Sequence, residues 1–172
     1  MTHSIPPSSK THIYERGFTL IEILVVIGMI AVLASVVLIA INPLRQFAQA
    51  RNSQRISNVN AILNAVGNRL AEHQGIFTEA SSTCPAIPSS DIDIAKNQYD
   101  LRRCLVPTYI SELPFDPDGG SNTCINDACS DGDYDTRYTV REDSSSGRIT
   151  VCAPNAGHES SIPDSQRYCL TR

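Results

Sequence analysis

One acidic side chain, Glu22, lies at the start of a long apolar segment, five residues after Gly17. From Ile23 to Ile41, nineteen consecutive residues carry no charge. Such a segment makes roughly 28 Å of helix, which is close to the thickness of bilayer hydrocarbon. An ionised carboxylate at mid-bilayer costs about 3 kcal/mol on insertion scales, so an acid in such a segment usually has a function and a partner. The sequence therefore predicts that Glu22 pairs with a cation.

A cation for Glu22 appears if the chain is cut between Gly17 and Phe18. The new α-amino group of Phe18 then lies at the N-terminus of an apolar helix, where the helix dipole disfavours positive charge and favours negative charge. Phe18 and Glu22 are four residues apart and can meet within one chain. Between chains, Glu22 of one copy can bind the amine of its neighbour and fix the axial offset of parallel helices. This pairing predicts a filament.

The segment 17–22, with the sequence GFTLIE, and the apolar run after it resemble the type IV prepilin leader shared by type IV pilins and type II secretion pseudopilins. The resemblance implies that a membrane-embedded prepilin peptidase cuts after Gly17 and methylates the new amino group of Phe18. It implies further that an inner-membrane assembly platform moves the apolar helix into a helical filament of like subunits. The leader would then be cytoplasmic, and the rest of the chain would extend outside the bacterial inner membrane, in a periplasmic or cell-surface filament.

Three other interpretations compete with a filament subunit. A secretory signal would be cut after the apolar segment, and Ala48-Gln49-Ala50 offers a small-x-small site, but secretory apolar regions usually run about 7 to 15 residues and do not begin with an acid. A plain single-pass anchor could let Glu22 reach the membrane interface. A membrane-tethered calcium-binding or adhesive module that never polymerises is the alternative from another class. None of these needs the sequence GFTLIE.

Four regions follow from the pattern of the chain. They are the leader at 1–17, a transmembrane or filament-core helix at 18–43, an amphipathic helix at 44–74 and a globular head at 75–172. Apolar residues at steps of three and four define the amphipathic helix, and its polar face is predicted to carry Arg51, Arg55 and Arg69. The two helical regions together would make one helix of roughly 80 Å, which Pro43 is expected to kink or locally melt.

The head is predicted to contain a small antiparallel sheet. Alternating residues indicate a half-buried strand at 134–141, and the loop Ser144–Gly147 leads into a return strand at 148–153. A third short strand is expected at 168–170, held by Cys152. Two short helices are expected between Phe77 and Pro114, near residues 90–96 and 100–105. An antiparallel sheet packed on the amphipathic helix gives an α+β class, which the resemblance identifies with the pilin-like fold.

Six cysteines lie beyond the apolar segment, in the part of the chain expected outside the cytoplasm. An even number in a small exported head favours disulfides, although six cysteines allow fifteen pairings. Pairing nearest neighbours in sequence gives Cys84–Cys104, Cys124–Cys129 and Cys152–Cys169. Zinc is disfavoured, because the chain has no Cys-x-x-Cys and only His73 and His158 remain after leader cleavage.

Six aspartates and no lysine or arginine occupy residues 116–135. The aspartates are Asp116, Asp118, Asp127, Asp131, Asp133 and Asp135. Calcium suits such a loop because it takes 6 to 8 oxygen ligands with loose geometry. The competing interpretation is a solvated acidic loop closed by Cys124–Cys129. An EF-hand is rejected, because Thr136 occupies the position of the invariant glycine. The segment 113–117, LPFDP, resembles the Leu-Pro-x-Asp-Pro segment of major pseudopilins, which also points to calcium.

Composition limits the remaining function classes. The formal net charge is −4, and the head shows no basic patch for nucleic acid. No nucleophile motif or phosphate-binding loop is visible, so the chain is predicted to be no enzyme and to require no cofactor other than, at most, calcium. The sequence alone therefore predicts a structural subunit of a type IV pilus-like or type II secretion-like filament.

Overall fold

The structure is a computed structural model that describes residues 17–40, 42–78, 84–123, 132–163 and 165–172. The chain divides into two compact units after Asn42. The first contains helix α1, Leu20–Ala40, and the second contains helix α2, Pro43–Glu72, together with the head. The predicted interruption at Pro43 falls at this boundary, since Asn42 lies outside both helices.

Helix α1 is apolar on every side. The span Leu20–Leu38 is long and apolar enough to cross a membrane, and it is the one helix of that kind among the described residues. No part of that span is buried inside the structure. Its apolar side chains therefore depend on lipid or on other protein chains for removal from water.

Helix α2 begins at Pro43, whose missing amide donor costs nothing at the first helical position. Its C-terminal turn closes at Gly75, which has a φ of +87° and donates its amide to the Leu70 carbonyl at 2.7 Å. The amphipathic helix predicted from the sequence is confirmed. Its buried apolar side chains, including Val59, Ile62 and Val66, pack on the sheet of the head.

The predicted polar face of α2 is wrong at two positions. Arg55 is 0% exposed and Arg69 is 5% exposed. Arg69 lies over the rings of Phe77 and Tyr109, with its Cζ 5.5 and 5.9 Å from their centroids, and donates from Nε to the Phe77 carbonyl at 3.2 Å. The guanidinium of Arg55 is buried in an ion network described below. Both arginines are buried because residues of the head accept their hydrogen bonds. The sequence of the helix alone does not reveal these acceptors.

The described residues of the head form one antiparallel sheet of five strands. These are β1 Ile92–Ala95, β2 Ser121–Asn122, β3 Tyr134–Glu142, β4 Ile149–Ala153 and β5 Tyr168–Thr171. The order is β1-β3-β4-β5, and β2 pairs with the first residues of β3. The predicted hairpin and third strand are confirmed as β3, β4 and β5. The sheet packs on α2 through β4 and β5, so the α+β class is also confirmed.

One predicted helix of the head is wrong and the other is present. Residues 90–96 contain strand β1 rather than a helix, because Ile92 and Asp93 pair with Val140 and Thr139 of β3, and Ile94 is 0% exposed. Pairing with the long strand β3 outweighs the local preference of a short segment. The second predicted helix is α3, Arg102–Leu105.

Two of the three predicted disulfides are present, Cys84–Cys104 and Cys152–Cys169. The first ties the segment before β1 to α3. The second joins directly paired residues of β4 and β5. Cys124 and Cys129 lie outside the described residues. Disulfides of this kind are typical of small domains exported to an oxidising compartment.

Candidate functional site

The predicted cleavage site lies just before α1. Gly17, Phe18 and Thr19 precede the first helical residue, Leu20, and have no regular secondary structure. The Phe18 side chain is 80% exposed. The peptide bond between Gly17 and Phe18 is therefore outside the helical hydrogen-bond ladder and accessible to a protease.

The surroundings of Gly17 are open. A Cβ atom added at Gly17 would meet nothing within 4 Å. At Gly132, by contrast, φ is +119° and an added Cβ would lie 1.9 Å from the Thr123 carbonyl oxygen, so the fold itself requires glycine there. The described residues therefore impose no requirement for glycine at position 17, and a peptidase is a possible source of one.

Glu22 forms a capping box with Thr19 at the start of α1. The Thr19 amide and hydroxyl both donate to Glu22 Oε2, at 3.4 and 3.5 Å, and the Glu22 amide donates to Thr19 Oγ1 at 3.3 Å. This reciprocal pattern is the usual capping box, in which the N-cap and third helical side chains satisfy each other's free amides. The sequence reasoning missed this role of Thr19, although the spacing Thr-x-x-Glu is its standard signal.

The capping box leaves part of the carboxylate available. Both bonds to Glu22 use Oε2, and Oε1 accepts no hydrogen bond from the described residues. The carboxylate is exposed. Glu22 can therefore stabilise its own helix start and still accept a hydrogen bond from an ammonium group.

A second group of charges, the ion network, consists of Arg51, Arg55, Asp116 and Glu159. Arg55 binds Asp116 with two bonds, from Nε at 2.8 Å and from Nη2 at 3.0 Å. Its Nη1 donates to Glu159 Oε1 at 2.5 Å. Arg51 binds the two oxygens of Glu159 at 2.8 and 2.5 Å. The network joins α2 to two separate loops of the head.

Glu159 and Arg55 of the network stay ionised over the physiological pH range. Hydrogen bonds from Arg51, opposed by burial and helped by Arg55, lower the pKa of Glu159 to about 2. Burial lowers the pKa of Arg55, but hydrogen bonds to Asp116 and Glu159 outweigh burial and raise that pKa above its ordinary value. Buried charges with matched partners fix the geometry of the parts they join, and removing one partner is costly. The network acts as a clamp between α2 and the head.

The structure places the four described aspartates of the acidic loop in different environments. Asp116 is buried and gives both carboxylate oxygens to Arg55, and its Oδ1 also accepts the Asp118 amide at 2.8 Å. Asp135 pairs with Arg137 at 3.2 Å, and Asp133 is exposed. Within the described ranges, no three His, Cys, Asp or Glu side chains are grouped as metal ligands would be. Asp127 and Asp131 lie outside those ranges, so calcium binding stays a prediction.

The LPFDP segment meets α2 at the same clamp. Asn58 Nδ2 donates to the Phe115 carbonyl and to the Tyr138 hydroxyl, each at 3.0 Å. The Asp116 amide donates to the Thr136 carbonyl at 2.9 Å, which fixes the segment to β3. Asp116 therefore has a structural contact with the helix, and the segment connects α2 to β3 through hydrogen bonds on both sides.

Comparison with known protein families gives one match. Residues 14–38 match the model of the prokaryotic N-terminal methylation motif, the prepilin-type signature of type IV pilins and pseudopilins. No curated protein and no solved structure matched the chain. The resemblance seen in the sequence is confirmed for this segment. The motif supports a pilin- or pseudopilin-type protein processed by a prepilin peptidase, and with the apolar helix it suggests a single-pass anchor in the inner membrane.

Proposed function

We propose that this protein is a structural subunit of a type IV pilus-like or type II secretion-like filament, in which α1 is the polymerising element. One observation carries the proposal: an unpacked apolar helix begins with an exposed carboxylate inside a prepilin methylation motif. Parallel α1 helices from like subunits would bury the apolar surface that one chain leaves exposed. Processing requires a prepilin peptidase, and assembly requires an inner-membrane platform.

The chemistry of assembly follows from Glu22. Cleavage after Gly17 creates an ammonium group on Phe18, and Oε1 of Glu22 is available to accept its hydrogen bond. In the filament, Glu22 of one subunit binds the Phe18 amine of its neighbour. The pair neutralises two charges in an apolar core and sets the axial register between subunits.

The orientation follows from the charges and cysteines. The leader carries Lys10 and Arg16, which favours a cytoplasmic location. The disulfides Cys84–Cys104 and Cys152–Cys169 favour an oxidising compartment for the head. These observations support a cytoplasmic leader and a head outside the inner membrane, where we propose that the filament forms.

The test compares Glu22→Ala with Glu22→Gln in the full chain. Glutamine is accepted in capping boxes, so it keeps the helix start but removes the charge. Both variants should still be cleaved, since Gly17 and the scissile bond are unchanged. Both should fail to enter filaments, because losing one partner of a buried ion pair costs about 3 to 5 kcal/mol per subunit. Sheared-filament yield is the measurement, and filaments of Glu22→Gln at the wild-type level would show that Glu22 only caps its helix.

Mass spectrometry of the wild-type protein separates the competing interpretations. We expect an N-terminus at methylated Phe18. A start at Arg51 would instead indicate secretory cleavage after Ala50, although Ala48 is 0% exposed and helical in the structure. Correct processing with no wild-type filaments would favour the tethered module.

A further inference from the structure

The first turn of α2 carries two exposed apolar side chains on one side of the helix. Leu44 is 67% exposed and Phe47 is 64% exposed, which makes them the two most exposed large apolar residues in the described part of the second unit. They are three residues apart, so they are neighbours on the helix surface. Ala48 lies four residues after Leu44 on the same side, but it is 0% exposed. The head therefore covers this side of the helix from Ala48 onward and leaves Leu44 and Phe47, which we call the first-turn patch, uncovered.

The surroundings of the first-turn patch suit a lipid surface. Neighbouring apolar side chains on an exposed surface often mark a contact with a membrane or with protein. Helix α2 has no acidic residue before Glu72, at its other end. The head carboxylate that contacts α2 one turn after the patch is Glu159, which is 6% exposed and is bound by Arg51 and Arg55. An anionic lipid surface would therefore meet no exposed acidic side chain of α2 at this end.

The length of the chain keeps the first-turn patch close to the membrane that α1 would span. The uncharged run ends at Ile41 and would measure roughly 28 Å as a helix, close to the hydrocarbon thickness. Leu44 and Phe47 follow Ile41 by roughly 5 and 9 Å along a helix, and by at most about 10 and 21 Å in an extended chain. The headgroup layer is roughly 5 to 8 Å thick on each side of a bilayer. Chain length alone therefore keeps the patch at or near this layer.

We propose that the first-turn patch docks on the lipid of the same membrane, with Leu44 and Phe47 inserted at the boundary between headgroups and acyl chains. The apolar side of an interfacial helix inserts roughly 5–10 Å into that boundary, and leucine and phenylalanine are typical of it. Two side chains suffice for this contact because α1 already holds them at the surface, which makes docking intramolecular. The inference rests on the proposed function only for the membrane anchor, since it requires α1 to span a bilayer.

Lipid is favoured over a second copy of this chain as the occupant. A second copy would reach the first-turn patch only after assembly, whereas lipid lies beside the patch whenever α1 is inserted. The patch follows the span along the chain, so lipid contact at Leu44 and Phe47 continues the contact that the apolar surface of α1 already requires. The docking therefore belongs to the unassembled subunit, and it breaks when α1 leaves the bilayer.

Tryptophan fluorescence tests the inference, because the chain contains no tryptophan of its own. The full chain carrying Phe47→Trp is reconstituted in vesicles of phosphatidylcholine and phosphatidylglycerol at a low protein-to-lipid ratio, so that like subunits rarely meet. The phosphatidylcholine is brominated either near the headgroup end of its acyl chains, as a shallow quencher, or near their tail end, as a deep quencher. The tryptophan at position 47 should be quenched at least about twofold more strongly by the shallow quencher, because interfacial side chains insert only roughly 5–10 Å.

Two further single-tryptophan variants are the controls for depth. Ile76→Trp replaces an apolar residue that is 59% exposed but lies just beyond the other end of α2, and neither quencher should affect it. Leu33→Trp lies within the span of α1 and should be quenched more strongly by the deep quencher. Equal shallow quenching at positions 47 and 76 would overturn the inference, because the lipid contact would not be specific to the first-turn patch.

A charged substitution tests the patch itself. Leu44→Asp in the Phe47→Trp chain should lower shallow quenching by at least about twofold, because a carboxylate beside the tryptophan opposes insertion into lipid. An acid in the first turn of a helix is compatible with the helix dipole, so the fold should be kept. Ile56→Asp is the matched control, because Ile56 is 41% exposed and lies about two and a half turns after Phe47, on the opposite side of α2. The control should leave the quenching unchanged, and an unchanged signal in Leu44→Asp would overturn the inference.

The outcomes separate this inference from the proposed function. If neither quencher affects the tryptophan at position 47, or if its emission shifts to the blue only as the protein-to-lipid ratio rises, lipid docking is overturned, and the second result indicates a second copy. The filament yield of the wild type would still decide the proposed function. Quenching as expected, together with no wild-type filaments, would leave the docking intact and refute the filament role. Absence of deep quenching at position 33 would refute the membrane anchor on which both proposals rest.

Discussion

Helices α1 and α2 follow each other in the chain but differ in whether this chain buries their apolar side chains. Helix α1 is apolar on every side, and none of its span from Leu20 to Leu38 is buried inside the structure. Helix α2 has a polar side and buries Val59, Ile62 and Leu63 against the sheet of its own head. Apolar content alone does not give burial. A one-sided pattern supplies a core within the chain, whereas an all-round pattern needs an environment that other molecules provide.

The charges follow the same division. The described part of α1 carries one charge, Glu22, and its Oε1 accepts no hydrogen bond from the described residues. Helix α2 carries Arg55, whose guanidinium is fully buried with Asp116 and Glu159. Glu22 can therefore contact another molecule, whereas Arg55 stabilises the fold of this chain.

The largest expected effect comes from breaking the clamp on α2. Arg55→Ala leaves the carboxylate of Asp116 buried without its cation, and it should lower the free energy of unfolding by about 3 to 5 kcal/mol. Arg51→Ala is the matched control, because Arg51 is partly exposed and Arg55 still holds Glu159. Denaturant unfolding of the purified full chain in detergent measures both variants. Equal losses would show that burial of the Arg55 pair contributes little.

Truncating one leucine in each helix tests the comparison directly. Leu63→Ala in α2 creates a cavity in the core and should cost about 2 to 5 kcal/mol of head stability. Leu33→Ala in α1 removes an exposed side chain and should change head stability by no more than about 0.5 kcal/mol. The same unfolding assay serves for both. A large loss from Leu33→Ala would contradict the view that α1 depends on other molecules for its packing.

Calcium binding tests whether the acidic loop, like α1, depends on a partner from outside the chain, or whether, like α2, it is stabilised by its own chain. Asp116 already has a cation from its own chain, but Asp133 does not among the described residues. If the loop binds calcium, free calcium at 100 times its dissociation constant should add about 2.7 kcal/mol to stability. Melting with calcium and with a chelator measures this difference, and Asp133→Asn should reduce it. Identical midpoints for the wild type would favour the solvated loop.

Acid should weaken the clamp through Glu159. Glu159 has a pKa of about 2 in the folded chain, below its ordinary value of 4.5, so it binds a proton more readily when unfolded. Its stabilising contribution is therefore complete above pH 4.5 and is lost as the pH falls towards 2. Unfolding midpoints at a series of pH values measure this loss. Arg51→Gln removes the largest cause of the shift, so its acid loss should be smaller and should be complete at a higher pH than in the wild type, and an unchanged profile would contradict the assignment.

The parts of the fold predicted from sequence are those with strong local patterns. The apolar helix, the amphipathic helix and the strands around Tyr138 and Val151 were predictable because their periodicities are long and regular. Residues 92–95 were not, since their strand exists only through pairing with β3. Local sequence cannot show a partner that lies more than forty residues further along the chain.

The residues of the candidate site also differ in how far the sequence predicted their roles. The sequence predicted roles for Gly17, Phe18 and Glu22 because their motif is contiguous, and those roles stay a prediction. The role of Thr19 in the capping box was overlooked, although the Thr-x-x-Glu spacing was visible. Arg55 was assigned to the polar face, although it lies four residues before the core residue Val59 and therefore shares its side of the helix. Its partners, Asp116 and Glu159, are remote in sequence, so only the folded head reveals why an arginine is tolerated there.

The empty space around Gly17 has a consequence for any survey of substitutions in this chain. A screen that scores only folding or solubility should accept nearly every side chain at that position, because an added Cβ touches none of the described residues. A screen that scores appearance of the processed protein should reject most of them if the peptidase needs glycine. Substitutions at Gly17 that pass the folding screen but fail the processing screen would show which side chains the peptidase rejects. Substitutions of Gly132 should fail in both screens, because the fold itself requires glycine there.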